Sequence, residues 1–400
     1  MIVMCLASYF KGNDFIRECK SEGAHVILIT REKMLEEEWA GECLGRLVTV
    51  SDDADTEDYI HAASAAAQKG KPDLIVALEE SDVVTAARIR EHLCIPGMTS
   101  MTARLFRDKL AMRVKAAEAG IRQPEFVHLL SYQEVGEFME RVPPPWVVKP
   151  RADASSIGIH KLFEQEEVWR TVDLLDAHES PRDHAPSYLL ELYIPGDVYH
   201  VNSLVDGGQI VFADASHYRQ PPLDVSQLGG VSISHSVAHG SNEELALFEA
   251  NGELIAGLGI SHGTSHAEFI MSAVDGGLYF LEVGARVGGA YTAETLEAAR
   301  GINLWREWAR IEIAQVKNHY KLPLPREDYS GSVVSLARQE HPDTSRYDDP
   351  EIVYRVRKPR HVGLIVRSPE LARVLFLLDR YGERFLQDFT AVAPQQERPE

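Results

Sequence analysis

The stretch HAEFIMSAVDGGLYFLEVGARVGG, residues 266–289, organises the reading of the whole chain. Two apolar runs flank Asp275-Gly276-Gly277, a pattern that predicts a β-hairpin. Each arm carries a glutamate, Glu268 and Glu282, where a buried strand would hold an apolar residue. In the second arm, alternation puts Leu278, Phe280, Glu282, Gly284 and Arg286 on one face. Whether Glu268 shares that face depends on the turn. A two-residue loop separates the glutamates. A three-residue loop brings them to one side, directly opposite at about 5 Å or diagonal at about 7–8 Å. Asp-Gly-Gly suits a three-residue loop, so an odd-length connection with both carboxylates on one face is expected.

Two half-buried carboxylates at that spacing repel by on the order of several kcal/mol unless something neutralises them. A divalent cation does so, and magnesium sites at nucleotides combine one or two carboxylates with substrate phosphates. Two solvent-facing acids are the competing interpretation, and Arg286 on the same face argues against it. Cationic partners are available upstream. Lys149 ends the apolar strand WVVKP, and a small-residue turn with Ser155, Ser156 and Gly158 follows, of the kind whose backbone N–H groups can cradle phosphates. Lys109, in RDKLAMR, fits a solvated helix face equally well. In LLELYIPGDVY, Glu191 closes an apolar strand and Asp197 follows a Pro-Gly turn; this extended backbone could pair with an adenine edge and a carboxylate could accept from ribose hydroxyls.

Around these pieces the chain alternates strand and helix from residue 1 to about 95, a small parallel α/β layer without a GxGxxG fingerprint. Ser81 is the expected N-cap of its last helix. Residues 99–120 read as one long amphipathic helix, 216–236 as a mobile Ser-, Pro- and Gly-rich loop containing His235, and the tail as strands followed by a final helix. The expected division is 1–115, 116–195, 196–320 and 321–400. A net charge of −20 argues against general nucleic-acid binding. No apolar run reaches membrane-spanning length, and MIVMCLASYF reads as a first strand rather than a leader, so a cytoplasmic location is expected. Cys5, Cys19, Cys43 and Cys94 form no CxxC pair and read as free thiols.

The series RDKLAMRVKAAEAGIRQPEF, WVVKPRADASSIGI, LLELYIPGDVY, HAEFIM and LYFLEVGARVGG, in that order, resembles the ATP-grasp superfamily over roughly residues 1–320. Each motif is loose; five in sequence are not. The resemblance implies an α/β and α+β chain, with an N-terminal parallel α/β layer preceding a two-lobed ATP-grasp fold. It implies that ATP is bound by Lys109 and Lys149, by the loop of Ser155, Ser156 and Gly158, by a hinge from Glu191 through Tyr193 and Ile194, by Asp197 at the ribose, and by Leu281. It implies that Glu268 and Glu282 hold Mg2+, two ions with Mn2+ able to substitute, and that Arg286 steadies the transferring phosphoryl group beside the Gly288-Gly289 backbone. Many members carry Glu-x-Asn where this chain has Glu282-Val283-Gly284, so a third ligand from another source is expected.

The form GTSHAEFI…LEVGARVGGAY is similar to the branch of L-amino acid ligases and carnosine-synthase-like enzymes. That implies an ATP-dependent ligase joining a small-molecule carboxylate to an amine through an acyl phosphate. His235 is a candidate for assisting the amine, and a homodimer is compatible with the analogy. His262 and His266, flanking the hairpin, read as packing residues. The rival functions are a biotin-carboxylase-like or purine-biosynthesis-type carboxylating enzyme and an inactive nucleotide-binding module.

Overall fold

A computed structural model describes residues 1–152, 158–177, 184–317 and 320–391 of the chain. In the N-terminal part, β1 (Ile2–Ala7), β2 (His25–Arg31), β3 (Leu44–Val50) and β4 (Leu74–Ala77) form a parallel sheet in the order β3-β2-β1-β4. Helices α1 (Asn13–Ser21), α2 (Thr56–Ala67) and α3 (Val83–Leu93) link and cover these strands. Because helices lie on its faces, the central strands are apolar: β1 is buried from Val3 to Ala7 and β4 throughout, while the edge strand β3 alternates half-buried and exposed residues until its buried end at Val50.

Helix α3 departs from expectation at its start. Ser81 lies inside a short 3-10 turn, Glu80–Asp82, and Asp82 occupies the N-cap position without capping. Its carboxylate is engaged instead by the backbone N–H of Ser8, at 2.7 Å. The predicted long helix over 99–120 is two helices, α4 (Ser100–Arg104) and α5 (Lys109–Glu118). Asp108 breaks it, accepting from the N–H groups of Leu110 and Ala111 as the N-cap of α5 while binding the Arg151 guanidinium at 2.6 Å. The break sets Lys109 at the first turn of α5.

Next comes an antiparallel sheet in the order β5-β8-β6-β7, from β5 (Phe126–His128), β6 (Trp146–Pro150), β7 (His160–Leu162) and β8 (Tyr188–Leu192), with α6 (Tyr132–Arg141) and α7 (Gln165–Asp176) packed on it. An eight-stranded sheet follows, in the order β13-β12-β9-β10-β11-β14-β16-β15. It is made of β9 (Gly196–Asp206), β10 (Gln209–Tyr218), β11 (Val231–Ser236), β12 (Gly263–Ser272), β13 (Leu278–Gly284), β14 (Tyr329–Leu336), β15 (Ile352–Arg355) and β16 (His361–Ser368). Helices α8 (Pro222–Leu228), α9 (Asn242–Leu258), α10 (Thr292–Arg300), α11 (Leu304–Lys317) and α12 (Leu371–Asp388) complete the chain.

A parallel α/β layer followed by two separate antiparallel sheets is the two-lobed class implied by the sequence. Residues 216–236, expected as a loop, instead hold the end of β10, helix α8 and strand β11. The alternating run VSISHS pairs with β14 on one side and β10 on the other, which satisfies its backbone. Among the described residues no helix is long and apolar enough to cross a membrane.

Candidate active site

The hairpin β12–β13 brings Glu268 directly opposite Glu282. It does so by a different route from the expected odd-length loop. Next to the turn the ladder pairs Met271 with Leu278 and Ile270 with Tyr279, the parity of an even connection. The register then shifts between Phe269 and Glu268, so that Phe269 faces Phe280, Glu268 faces Glu282 and Leu281 is bulged out. The bulge, not the turn, puts both carboxylates on one face. It also corrects the expected alternation: Phe280 points into the core with Phe269 and Val283, while Leu281 and Glu282 face a cleft.

That cleft runs between the two antiparallel sheets and is lined by Lys109, Lys149, Glu191, Leu281, Glu268 and Glu282, among others. The hinge residues Leu192, Tyr193 and Ile194 form one wall. The Tyr193 N–H donates to the Pro145 carbonyl at 3.0 Å, and the Lys161 ammonium lies over its ring, 3.5 Å from the centroid. Gly158, in the left-handed region at φ 68°, abuts Pro150 beside the cleft. Ser155 and Ser156 lie outside the described residues.

Charge is tightly distributed here. Lys109 Nζ is 3.2 Å from Glu282. Lys149 Nζ is 2.5 Å from Glu191, whose other oxygen receives Arg113 Nε at 3.0 Å. Arg113 also donates to the Leu281 carbonyl at 2.8 Å, so one buried guanidinium ties the bulge to β8. Arg286 pairs with Glu80, at 2.9 Å, and Glu80 also meets Arg107 at 3.1 Å. Burial, then the facing charge of Glu282, pushes Glu268 well above the usual carboxylate range. Burial acts on Glu282 in the same sense, but Lys109, Lys149 and Arg286 outweigh it and hold that carboxyl low. Burial pulls the Lys149 ammonium down to about 8, against the opposing pull of Glu191.

Two facing carboxylates of which only Glu282 is paired with a lysine are a fitting receptor for a divalent cation. Among the described residues no cluster of three or more His, Cys, Asp and Glu side chains could hold a metal alone. A cation there would therefore complete its shell with phosphate oxygens and water. Gly284, the position expected to lack a third ligand, has a structural reason to be glycine: a Cβ would lie 3.3 Å from both Arg286 Cγ and Glu80 Oε2.

Two expected site residues are not brought to the carboxylates. His235 aligns across the ladder with His217, Tyr199 and Phe269, whereas Glu268 aligns with His200 and Ser216, one residue along. Successive residues face opposite sides, so His235 lies on the other face of the sheet, hydrogen-bonded to His217 at 3.2 Å. Asp197 pairs with Met271 on that same far face and is exposed beside His217, while Val198 takes the cleft side. Gly288 packs against His266 so closely that a Cβ would meet its ring Nδ1 at 2.8 Å; Gly289 is open. As expected for packing residues, His266 is buried between Asn202 and Glu268, and His262 lies beside Asp206.

Glu80, Arg107, Arg113 and Tyr218, whose hydroxyl donates to Glu268 at 3.2 Å, escaped sequence reasoning. Only Arg113 left a local signal, one helical turn beyond Lys109.

Residues 142–294 match the family model for the ATP-grasp domain. An L-arginine-specific L-amino acid ligase of Bacillus subtilis is 25% identical over 254 residues, covering 62% of this chain. The match spans only 60% of that relative's own length. Among solved structures, an L-amino acid ligase from Bacillus licheniformis superposes with a TM-score of 0.74 at 17% identity, covering 98% of both chains. An N5-carboxyaminoimidazole ribonucleotide synthetase from Thermus thermophilus superposes at 0.71 with 18% identity, covering 99% of this chain and 100% of the other.

Proposed function

We propose that this chain, an ATP-grasp protein by domain and fold, is an ATP-dependent carboxylate–amine ligase acting on amino acids. The observation that carries the proposal is the placement of Glu268 opposite Glu282 with Lys109 against one of them and Arg286 held beside them. Lys109 and Lys149 would bind the phosphates from the cleft floor, and the apolar wall of Leu192, Ile194, Val198 and Leu281 would take the nucleobase. Magnesium held by Glu268 and Glu282 would neutralise phosphate charge. Arg286 would stabilise charge on the phosphoryl group as it moves to the substrate carboxylate, forming a carboxyl–phosphate bond and releasing ADP. The amine then attacks that carbonyl, an amide forms and phosphate leaves. Glu80 keeps Arg286 in place from the N-terminal layer, and the chain's work is positioning and charge neutralisation rather than covalent catalysis.

Incubation with ATP, magnesium and pairs of amino acids, followed for ADP, phosphate and amide product, tests this. The expected result is amide formed in equal amount with ADP. ADP formed with bicarbonate but with no amino-acid pair would overturn it. ATP binding without turnover on any pair would leave a nucleotide-binding module.

A further inference from the structure

On the Glu268 face of the eight-stranded sheet, a second, small cavity opens beyond the cleft. Its floor is a run of hydroxyls, Ser216, Ser232, Ser234, Ser330 and Ser332, and the start of α10 covers it. It shares a wall with the carboxylate pair: His200 lies opposite Glu268 in the ladder, and Tyr218 both lines the cavity and donates to Glu268. The loop after Gly289 enters it through Ala290 and Thr292, and Ala290 and its neighbour Tyr291 are two non-glycine residues in the left-handed region at φ 51° and 63°. Such strain concentrates at functional sites.

One ionisable carboxylate sits in this lining away from the metal-facing pair. Asp214 is 4% exposed and lines the cavity, yet its nearest cation, Arg300, stands 3.6 Å away with its Nε lacking any hydrogen-bond partner. Arg300 is not in the lining; its Nη1 meets His239 at 2.9 Å. A buried carboxylate this weakly compensated is costly, and a cationic ligand group in the cavity would relieve it. From Glu268, Asp214 is two strands across and two residues along, roughly 12 Å away, too far to touch the reacting atoms.

We propose that this cavity is the specificity pocket for one substrate and that Asp214 selects a substrate whose far end carries an ammonium or guanidinium group. The assignment rests on the ligase reading for the identity of the site, while its binding test does not require turnover. The hydroxyl floor accepts the donors of such a group, whereas an apolar side chain would strip it of solvent and an anionic one would meet Asp214 and Glu268.

Calorimetric titration of the full chain with magnesium and a non-hydrolysable ATP analogue compares L-lysine and L-arginine with neutral L-norleucine. All three share the α-ammonium and α-carboxylate. At least one cation should bind about tenfold or more tighter than norleucine, and Asp214→Asn should bring the ratio to within about threefold while leaving analogue binding unchanged. Ser216→Val, which does not touch the Asp214–Arg300 pair, should weaken binding of the cation several-fold. Norleucine binding as tightly as both cations, an unchanged preference in Asp214→Asn, or unchanged binding in Ser216→Val overturns the assignment. ADP release is followed in parallel. Turnover with neutral pairs but no cation preference removes the pocket and leaves the ligase. Cation selectivity that passes all three tests, with no turnover on any pair, leaves the pocket and removes the ligase.

Discussion

Glu268 and Glu282 face one another across the β12–β13 ladder because Leu281 is bulged from it, and Arg113 holds the bulged carbonyl. Without a cation this arrangement is electrostatically unfavourable. Burial and the neighbouring charge raise the pKa of Glu268, so between the ordinary glutamate range and its raised value the folded protein holds a proton that the unfolded chain has lost. Stability from this group therefore falls as pH rises through that window. In Glu268→Gln the fall disappears, and at about pH 8 and above the metal-free variant should be more stable than wild type by on the order of 1 kcal/mol. Urea titrations of both proteins at low and high pH check this. If the pair holds magnesium as proposed, ATP turnover by the same variant should drop about a hundredfold or more, because one of the two proposed metal ligands is gone.

Glu80 anchors Arg286 without lining the cleft proposed to take the nucleotide. Glu80→Gln should lower kcat by roughly ten- to a hundredfold with little change in KM for ATP, as expected when an orienting partner rather than a binding group is removed. A proportional rise in KM with kcat intact would show that Glu80 serves nucleotide binding instead.

Placing an asparagine at Gly284 should not supply a third metal ligand. At Gly284 a side chain would run into the Arg286–Glu80 pair. Gly284→Asn is expected to reduce kcat more than about tenfold, since the guanidinium must shift for the amide to fit. Phosphate-release kinetics measure this directly, and undiminished turnover would mean the pair can yield.

The buried triad Lys149–Glu191–Arg113 joins the small sheet to the hairpin. Glu191→Gln leaves two buried cations facing a neutral amide, at a cost of about 3–5 kcal/mol. The loss should appear as a lower urea midpoint with an unchanged slope.

Much of this site was legible locally. Apolar runs and a turn marked the hairpin, and an acid in each arm marked its unusual face. Lys149 at the end of an apolar strand has its position set by that strand. Conversely, His235 and Asp197 looked equally plausible as site residues, and the ladder turned both to the far side. Glu80 could not be inferred at all: its partner, Arg286, lies 206 positions along the chain.

By itself, then, the order of residues determined the succession of strands and helices, the hairpin, and the supply of carboxylates and cations, because hydrophobic periodicity and turn chemistry act over a few residues. Which face each charged side chain occupies was a matter for the tertiary structure. A strand's side-chain period is two, so one bulged residue reverses every assignment beyond it. Whether a residue bulges is settled by contacts from distant segments, here a guanidinium on α5 and a carboxylate on β8 that meet behind Leu281.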